Sequence, residues 1–114
     1  MAQYNVTGNA GEDLAADYLT AKGYVILERN WRSGHREIDI VARKNGLVVF
    51  VEVKTRMSEF FGRPEDAVTP RKMRLLIDAA DAYLREHCLD DDVRFDIVCI
   101  VNGSLRYYEA AFRP

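Results

Sequence analysis

The sequence predicts an α/β fold in which a central mixed β-sheet is flanked by helices, in the element order αβββαββ. Three observations lead there. Apolar residues recur at helical spacing in two segments, over residues 10–22 and again after Thr69-Pro70. Runs rich in β-branched and aromatic residues lie between and after those segments. Two Asn-Gly dipeptides, Asn45-Gly46 and Asn102-Gly103, have the composition of tight hairpin turns.

Taken in order, Asn9 with Glu12 three residues on makes a capping-box start, and Gly23 is a natural stop, so the first helix is predicted over residues 10–22. On a wheel, Leu14, Ala15, Tyr18 and Leu19 form its apolar arc, Asp13, Asp17 and Thr20 lie opposite, and Glu12 sits at the border beside Leu19. Strands follow at 24–27, 38–42 and 47–54, the last two joined by Asn45-Gly46. After a loop over 57–68, Thr69 caps and Pro70 opens a helix running to His87. Its buried stripe is Met73, Leu76, Ile77, Ala80, Tyr83 and Leu84. Residues 93–101 and 105–109 close the chain as a hairpin around Asn102-Gly103.

At 114 residues the chain is expected to form a single domain over 1–114. A chain of that size buries about two thirds of its unfolded surface, enough to dispense with disulfides or metal staples. Its longest apolar runs, 47–51 and 97–101, are five residues each. About 20 are needed to span a bilayer, so no membrane partner is expected. The first residues carry neither a basic start nor an apolar stretch, which points to a cytoplasmic protein. Cys88 and Cys99 are then expected as reduced thiols. With His35 and His87 they make no Cys-x-x-Cys or His-x3-His pair at zinc spacing. Lys and Arg number 16 against 18 Asp and Glu, a net charge of -2, so no global basic field marks a nucleic-acid partner.

The chemistry lies in the central hairpin. With a two-residue turn at Asn45-Gly46, Lys44 faces Leu47, Asp39 faces Glu52, and Glu37 faces Lys54. A four-residue turn keeps the carboxylates on one face as diagonal neighbours, whereas a three-residue turn separates them. Like charges placed opposite one another destabilise a sheet, and this face also carries Val48 and Phe50. The pair therefore lies at frayed, solvated ends, pairs with a nearby Lys or Arg, or holds a divalent cation. Hard carboxylate oxygens suit Mg²⁺ or Mn²⁺, and the backbone carbonyl of Val53 offers a further oxygen.

Asp39, a gap of 12 residues, and Glu52-Val53-Lys54 resemble the catalytic core of the PD-(D/E)XK nucleases. More closely, Gly11-Glu12, Glu37-Ile38-Asp39, the run from Phe50 to Arg56, Lys72 and Arg94-Phe95-Asp96 together resemble the YraN family of small bacterial proteins. The family usually has Gly where this chain has Arg36, and Ile38 stands where the nuclease name has its proline. The resemblance implies a restriction-endonuclease-like fold and a metal-dependent hydrolase acting on nucleic acid, with DNA, branched or damaged, as the expected partner. Asp39 and Glu52 would hold one or two Mg²⁺ or Mn²⁺ ions. Lys54 would stabilise the developing phosphorane charge or, when neutral, help deprotonate water; the alternative is an ion pair with Glu37.

Glu12 is either the capping-box residue of its helix or, by analogy with the helix glutamate of resolvase-like members, a further metal and catalytic residue. Glu37 reads as a partner for Lys54 or a group behind the ligands. Phosphate contacts are expected between the third strand and second helix, from Arg56, Arg63, Arg71 and Lys72. Arg74 and Arg85 have Asp78 and Asp81 at helical ion-pair spacing. Phe60-Phe61-Gly62 anchors the loop or stacks on a base, and Asp90 to Asp92 is a solvated turn. The last hairpin sets Asp96 opposite Glu109, a structural pair salt-bridged to Arg94 or Arg106. Cutting two strands would call for a symmetric homodimer. The competing functions are a nucleic-acid-binding module of the same fold without chemistry, and a structural adaptor whose carboxylates are tied up in ion pairs.

Overall fold

The computed structural model describes residues 8–56 and 68–114. Its elements are α1 (Gly8–Ala21), β1 (Val25–Ser33), β2 (Arg36–Lys44), β3 (Leu47–Arg56), α2 (Pro70–Glu86), β4 (Asp92–Val101) and β5 (Ser104–Phe112), in the order read from the sequence. The strands form one five-stranded sheet in chain order. Neighbours are antiparallel except β3 and β4, which run parallel because α2 carries the chain back between them. Both Asn-Gly hairpin turns have left-handed backbone at both central residues, with φ of 51° and 77° at Asn45 and Gly46 and 51° and 81° at Asn102 and Gly103. The first of them sets Lys44 against Leu47, the two-residue register.

α1 covers one face of the sheet, packing Ala15, Ala16 and Leu19 onto Ile40, Ala42, Val49, Val51, Val98 and Ile100. The contact is made by small side chains, so Leu14, expected inside, is 43% exposed. The helix starts two residues earlier than expected, making Glu12 its fifth residue and removing it from the first turn. A capping box needs that glutamate at the third position, so this role is not open to Glu12. At the far end Gly23, with φ of 95°, closes a Schellman motif: its N–H donates to Thr20 O and that of Tyr24 to Leu19 O, both at 3.0 Å.

Gly11 sets how closely α1 approaches β3. A Cβ there would lie 2.6 Å from Thr55 Oγ1 and 3.4 Å from Ile100 Cγ1. Gly11→Ala is expected to destabilise the protein by about 1–2 kcal/mol, the overpacking cost of about 1–3 kcal/mol exceeding the helix gain of about 1 kcal/mol. Urea denaturation checks this, with the double variant Gly11→Ala/Thr55→Ala recovering most of the loss.

α2 covers the other face. Thr69 caps it, its Oγ1 accepting from Lys72 N–H at 3.2 Å, and Pro70 opens it as expected. Leu76, Ala79, Ala80 and Tyr83 are buried, and the Tyr83 ring meets Trp31 and Phe50 edge-on at 5.4 and 6.0 Å between centroids. The expected strand over 24–27 proves to be the start of a longer one. The polar run Glu28 to Arg32 hid its continuation, because β1 is an edge strand that leaves much of one face in water. Among the described residues no helix is long and apolar enough to cross a membrane.

Several ion pairs fall differently from expectation. Asp78 pairs with Arg36 of β2 at 2.8 Å rather than with Arg74, so the arginine that replaces the family's usual glycine ties β2 to α2. Arg85 and Asp81 pair as expected, at 3.2 Å. Asp91 is no solvated turn residue: its carboxylate, 6% exposed, takes a bidentate bond from Arg43 at 2.8 and 3.1 Å.

A bulge between Phe95 and Ile97 moves Asp96 out of simple opposition to Glu109. Asp96 is completely buried and accepts from Arg94 Nε and Nη2 at 2.9 and 2.8 Å, Tyr107 OH at 2.5 Å and Ala110 N–H at 2.9 Å. The structural reading of Asp96 thus has Arg94 as its partner. The loop around Phe60-Phe61-Gly62 lies outside the described residues.

Candidate metal centre

The pairing of β2 with β3 ends at Ile40 and Val51. Beyond that point β2 pairs only with β1, and β3 only with β4, so the two central strands part like a fork. The register places Asp39 and Glu52 at the next position, where the fork opens. Asp39 Oδ2 accepts from Val53 N–H at 2.9 Å. A side chain thereby satisfies the backbone donor that the departing strand leaves unpaired.

Strand alternation sets the direction of the neighbours. Val48 and Phe50 pack under α2 and Val51 and Val53 under α1, which turns Glu52, and two residues on Lys54, toward the α2 side. Glu52 is 6% exposed and lies close enough to Asp39 for the two carboxyls to share a hydrogen bond. From α2, Lys72 acts on both carboxylates and favours their charged forms. From the opposite face, Glu12 of α1 comes within electrostatic reach of Asp39.

Burial and like charge dominate the titration of this group. Glu52 is pushed up to about 7, first by burial and then by the Asp39 charge, with Lys72 and Lys54 holding it back. Burial also raises Asp39, against the Val53 N–H and Lys72. Glu12 is raised by burial and by Asp39, with the Asn30 side chain opposing the rise. Carboxyls gathered in a low-dielectric fork must share protons or a cation. Replacing Lys72 with Met is therefore expected to raise the titration midpoint of Glu52, read from its side-chain carboxyl carbon by NMR; a downward move would contradict the placement of Lys72.

Of the expected site residues, the fork brings together Asp39, Glu52, Lys54 and, in electrostatic reach, Glu12, with the Val53 backbone beside them. Lys72, expected as a phosphate ligand, comes within electrostatic reach of both carboxylates. Arg71 is exposed one residue before it, at the start of α2. Arg56 ends β3, and its side chain lies outside the described residues, as does Arg63 altogether. Glu37 is exposed and acts on Asp39 through space, raising it. It also lines, with His35, Arg36, Lys72, Leu75 and Leu76, a cavity of about 250 Å³ against the site. A larger groove between α2 and β4, of about 640 Å³, contains neither Asp39, Glu52 nor Lys54.

Two features of the donor set bear on whether it fits a divalent cation. Among the described residues no three His, Cys, Asp or Glu side chains stand around one point ready to hold a metal. In favour, Glu12 Oε1 is buried with no hydrogen-bond partner among the described residues, its nearest cation, Arg29 Nη2, standing at 3.9 Å. An orphaned carboxylate oxygen beside a pair that repels itself has the oxygen chemistry of a Mg²⁺ or Mn²⁺ site. Asn30, abreast of Asp39 with a φ of 54°, is the residue that sequence reasoning missed. The one signal was that Asn, more than other non-glycine residues, adopts left-handed backbone.

Comparison with known proteins bears on the fold and the family. The Archaeoglobus fulgidus Holliday junction resolvase Hjc superposes with a TM-score of 0.58 at 15% identity, covering 90% of this chain and 77% of that one. At that identity the likeness is one of fold, and the fold is restriction-endonuclease-like. A UPF0102 protein of Bacteroides fragilis is 49% identical over 118 residues, covering 100% of this chain and 98% of the relative. One from Phocaeicola vulgatus is 47% identical over the same length and shares. One from Flavobacterium johnsoniae reaches 52% over 104 residues, 88% of this chain and 85% of its own. The model of the Uncharacterised protein family UPF0102 matches residues 11–100, from Gly11 in α1 to Ile100 in β4, and the chain belongs to that family.

Proposed function

We propose that this protein is a divalent-metal-dependent nuclease that hydrolyses phosphodiester bonds in DNA. The observation that carries the proposal is the Asp39–Glu52 pair at the β2–β3 fork, Glu52 buried and Asp39 half-buried and accepting from Val53 N–H at 2.9 Å, with Lys54 and Lys72 within electrostatic reach. Asp39 and Glu52 would hold Mg²⁺ or Mn²⁺, with the Val53 carbonyl and Glu12 as further oxygens. Such an ion, when bound, polarises a phosphodiester and lowers the pKa of water.

The chain's own residues do the rest. Lys54 shares its strand face with Glu52 and places an ammonium where charge develops on the phosphoryl oxygens. Lys72 favours the ionised carboxylates and adds a second positive charge toward the backbone of the substrate. Arg56, Arg63 and Arg71, flanking the same region in sequence, supply phosphate contacts. The solved neighbour is titled a Holliday junction resolvase, which makes branched DNA the first substrate to try. A symmetric dimer would present two such forks to two strands.

Purified protein with Mn²⁺ is expected to cut a panel of four-way junctions, flaps and single strands. Asp39→Ala and Glu52→Ala should lower the rate by about a thousandfold. Cutting at the parent's rate by either variant would overturn the assignment. Among the described residues no three-ligand cage stands ready-made, which favours a second reading, a nucleic-acid-binding module without chemistry. That reading calls for salt-sensitive DNA or RNA binding untouched by Asp39→Ala and for no cleavage with any metal.

A further inference from the structure

Past the fork β2 has no β3 partner, and the β1–β2 hairpin runs on without one to the two-residue turn Gly34–His35, closed by the Ser33–Arg36 pair. The positive φ that such a turn needs falls on Gly34, at 65°. Here the hairpin end meets the start of α2 instead of a strand. Arg36 Nε donates to Asp78 Oδ2 at 2.8 Å and ties the two together. Between them lies the cavity of about 250 Å³ lined by His35, Arg36, Glu37, Lys72, Leu75 and Leu76.

Its lining divides by chemistry. Lys72, Leu75 and Leu76 stand three and four residues apart, on one side of α2. Leu76 is buried, but Leu75 is 44% exposed; of the large apolar side chains left exposed among the described residues, it alone lines this cavity. Arg36 and Lys72 bring positive charge, and His35 and Glu37 bring groups that donate or accept hydrogen bonds. Glu37 is two residues from Asp39 along β2, so the cavity lies beside the fork. A concave surface with an apolar floor and a few polar groups around it is the form of a small-ligand site.

Size and composition narrow the ligand. Drug-sized molecules take pockets of about 300–1,000 Å³. A cavity of about 250 Å³ therefore has room for one small planar group and not for a stacked base pair. A nucleobase is such a group, with two apolar faces, a polar edge and an anionic phosphate attached through the sugar. In a duplex both faces are stacked and the edge is paired, so only an unpaired nucleotide can enter.

We propose that this cavity is a subsite for one unpaired nucleotide beside the bond that is cut: its base lies on Leu75 and Leu76, its polar edge meets His35 and Glu37, and its phosphate lies on Arg36 and Lys72. The cutting in this statement rests on the nuclease reading above; the binding needs neither metal nor cleavage. The substrate is then DNA with a single-stranded stretch at the point of cutting, as in a flap, an overhang or the open centre of a junction, and not continuous duplex.

Fluorescence anisotropy without added metal tests this, with a hairpin duplex carrying a single-stranded overhang of either polarity set against the same duplex with a blunt end. The parent is expected to prefer an overhang by about 5- to 10-fold. Leu75→Gln, at an exposed helix position, should lower affinity for the overhang by about 3- to 5-fold without altering its salt dependence. Arg36→Gln should lower it as much and also make the salt dependence shallower, by about 0.7 in the logarithmic slope for one phosphate of a single strand. Because Arg36→Gln also breaks the tie to α2, Asp78→Asn serves as the control: it breaks the same ion pair and should keep the overhang preference.

Equal affinity of the parent for overhang and blunt end, a full preference in Leu75→Gln, or a loss in Asp78→Asn as large as that in Arg36→Gln would overturn the proposal. Should Arg36→Gln fail to fold, Leu75→Gln decides. The two readings fail separately. Cleavage that depends on Asp39 while the parent binds both DNAs alike overturns the subsite only. An overhang preference lost in Leu75→Gln, with no cleavage under any metal, overturns the nuclease reading and supports the nucleotide site.

Discussion

Asp96→Ala is expected to cost about 3–5 kcal/mol of unfolding free energy, the loss seen when one partner of a buried ion pair is removed. The carboxylate is completely buried and every bond it accepts comes from a group with little alternative. Arg94 spends two nitrogens on it, at 2.8 and 2.9 Å, and the Arg94 side chain is itself only 20% exposed. The hydroxyl of Tyr107, held well above its ordinary titration range by burial and by the Asp96 charge, would lose its acceptor. So would the Ala110 N–H, at a residue held at a φ of 50°.

Domains of this kind have about 5–15 kcal/mol in all, so the variant should melt some 10–20 °C lower by calorimetry. A loss under about 1 kcal/mol would show that water or rearranged neighbours replace the carboxylate. Asp96 lies in the α1-side network of Arg94 and Tyr107, not at the fork. The folded fraction of the variant should therefore still bind Mn²⁺ as the parent does.

Glu52→Gln is expected to stabilise the metal-free protein at pH 8 and to change the pH dependence of its stability. The Glu52 carboxyl is raised in the folded state from 4.5 to about 7, chiefly by burial. Between those values the folded protein holds a proton that the unfolded chain releases, so stability contributed by this group is present at low pH and lost as pH rises toward 8. Gln has no proton to lose. Parent and variant should therefore diverge from about pH 5 upward, reaching on the order of 2–3 kcal/mol at pH 8. Asp39, coupled to Glu52, titrates differently in the variant and adds to the divergence, whereas groups away from the fork are common to both proteins and cancel.

Urea denaturation at pH 5.5 and pH 8 measures that divergence. Saturating Mn²⁺ should restore the parent at pH 8, since a ligand bound only by the folded state stabilises it, and should do little for Glu52→Gln. A parent that grows more stable than the variant as pH rises would contradict the buried, repelling pair.

Both turns, the helix cap at Thr69-Pro70 and the order of elements were legible because each rests on local chemistry: left-handed backbone at Asn-Gly, a hydroxyl that accepts from Lys72 N–H, periodicity of 2 or 3.6. The placement of Asp39 abreast of Glu52 was legible for the same reason, since a two-residue turn counts the register back along both strands. Local patterns also misled. The wheel of α1 favoured Leu14, but the helix is set by close approach at Gly11, Ala15 and Ala16, a property of the surface it meets. The Asp90 to Asp92 run looked solvated because Arg43, which binds Asp91, lies 48 residues away in sequence.

By itself, then, the sequence determined the α/β class, the hairpin register and the Asp39, Glu52 and Lys54 constellation, because these follow from interactions between residues near in the chain or joined by a tight turn. Only the tertiary structure decided that β2 and β3 part just past that register, that Lys72 and Glu12 approach from opposite faces, and that Asn30 stands abreast of Asp39. Those depend on how helices pack on a sheet. Packing is settled by the sum of many distant contacts, none of which leaves a period or a motif to read.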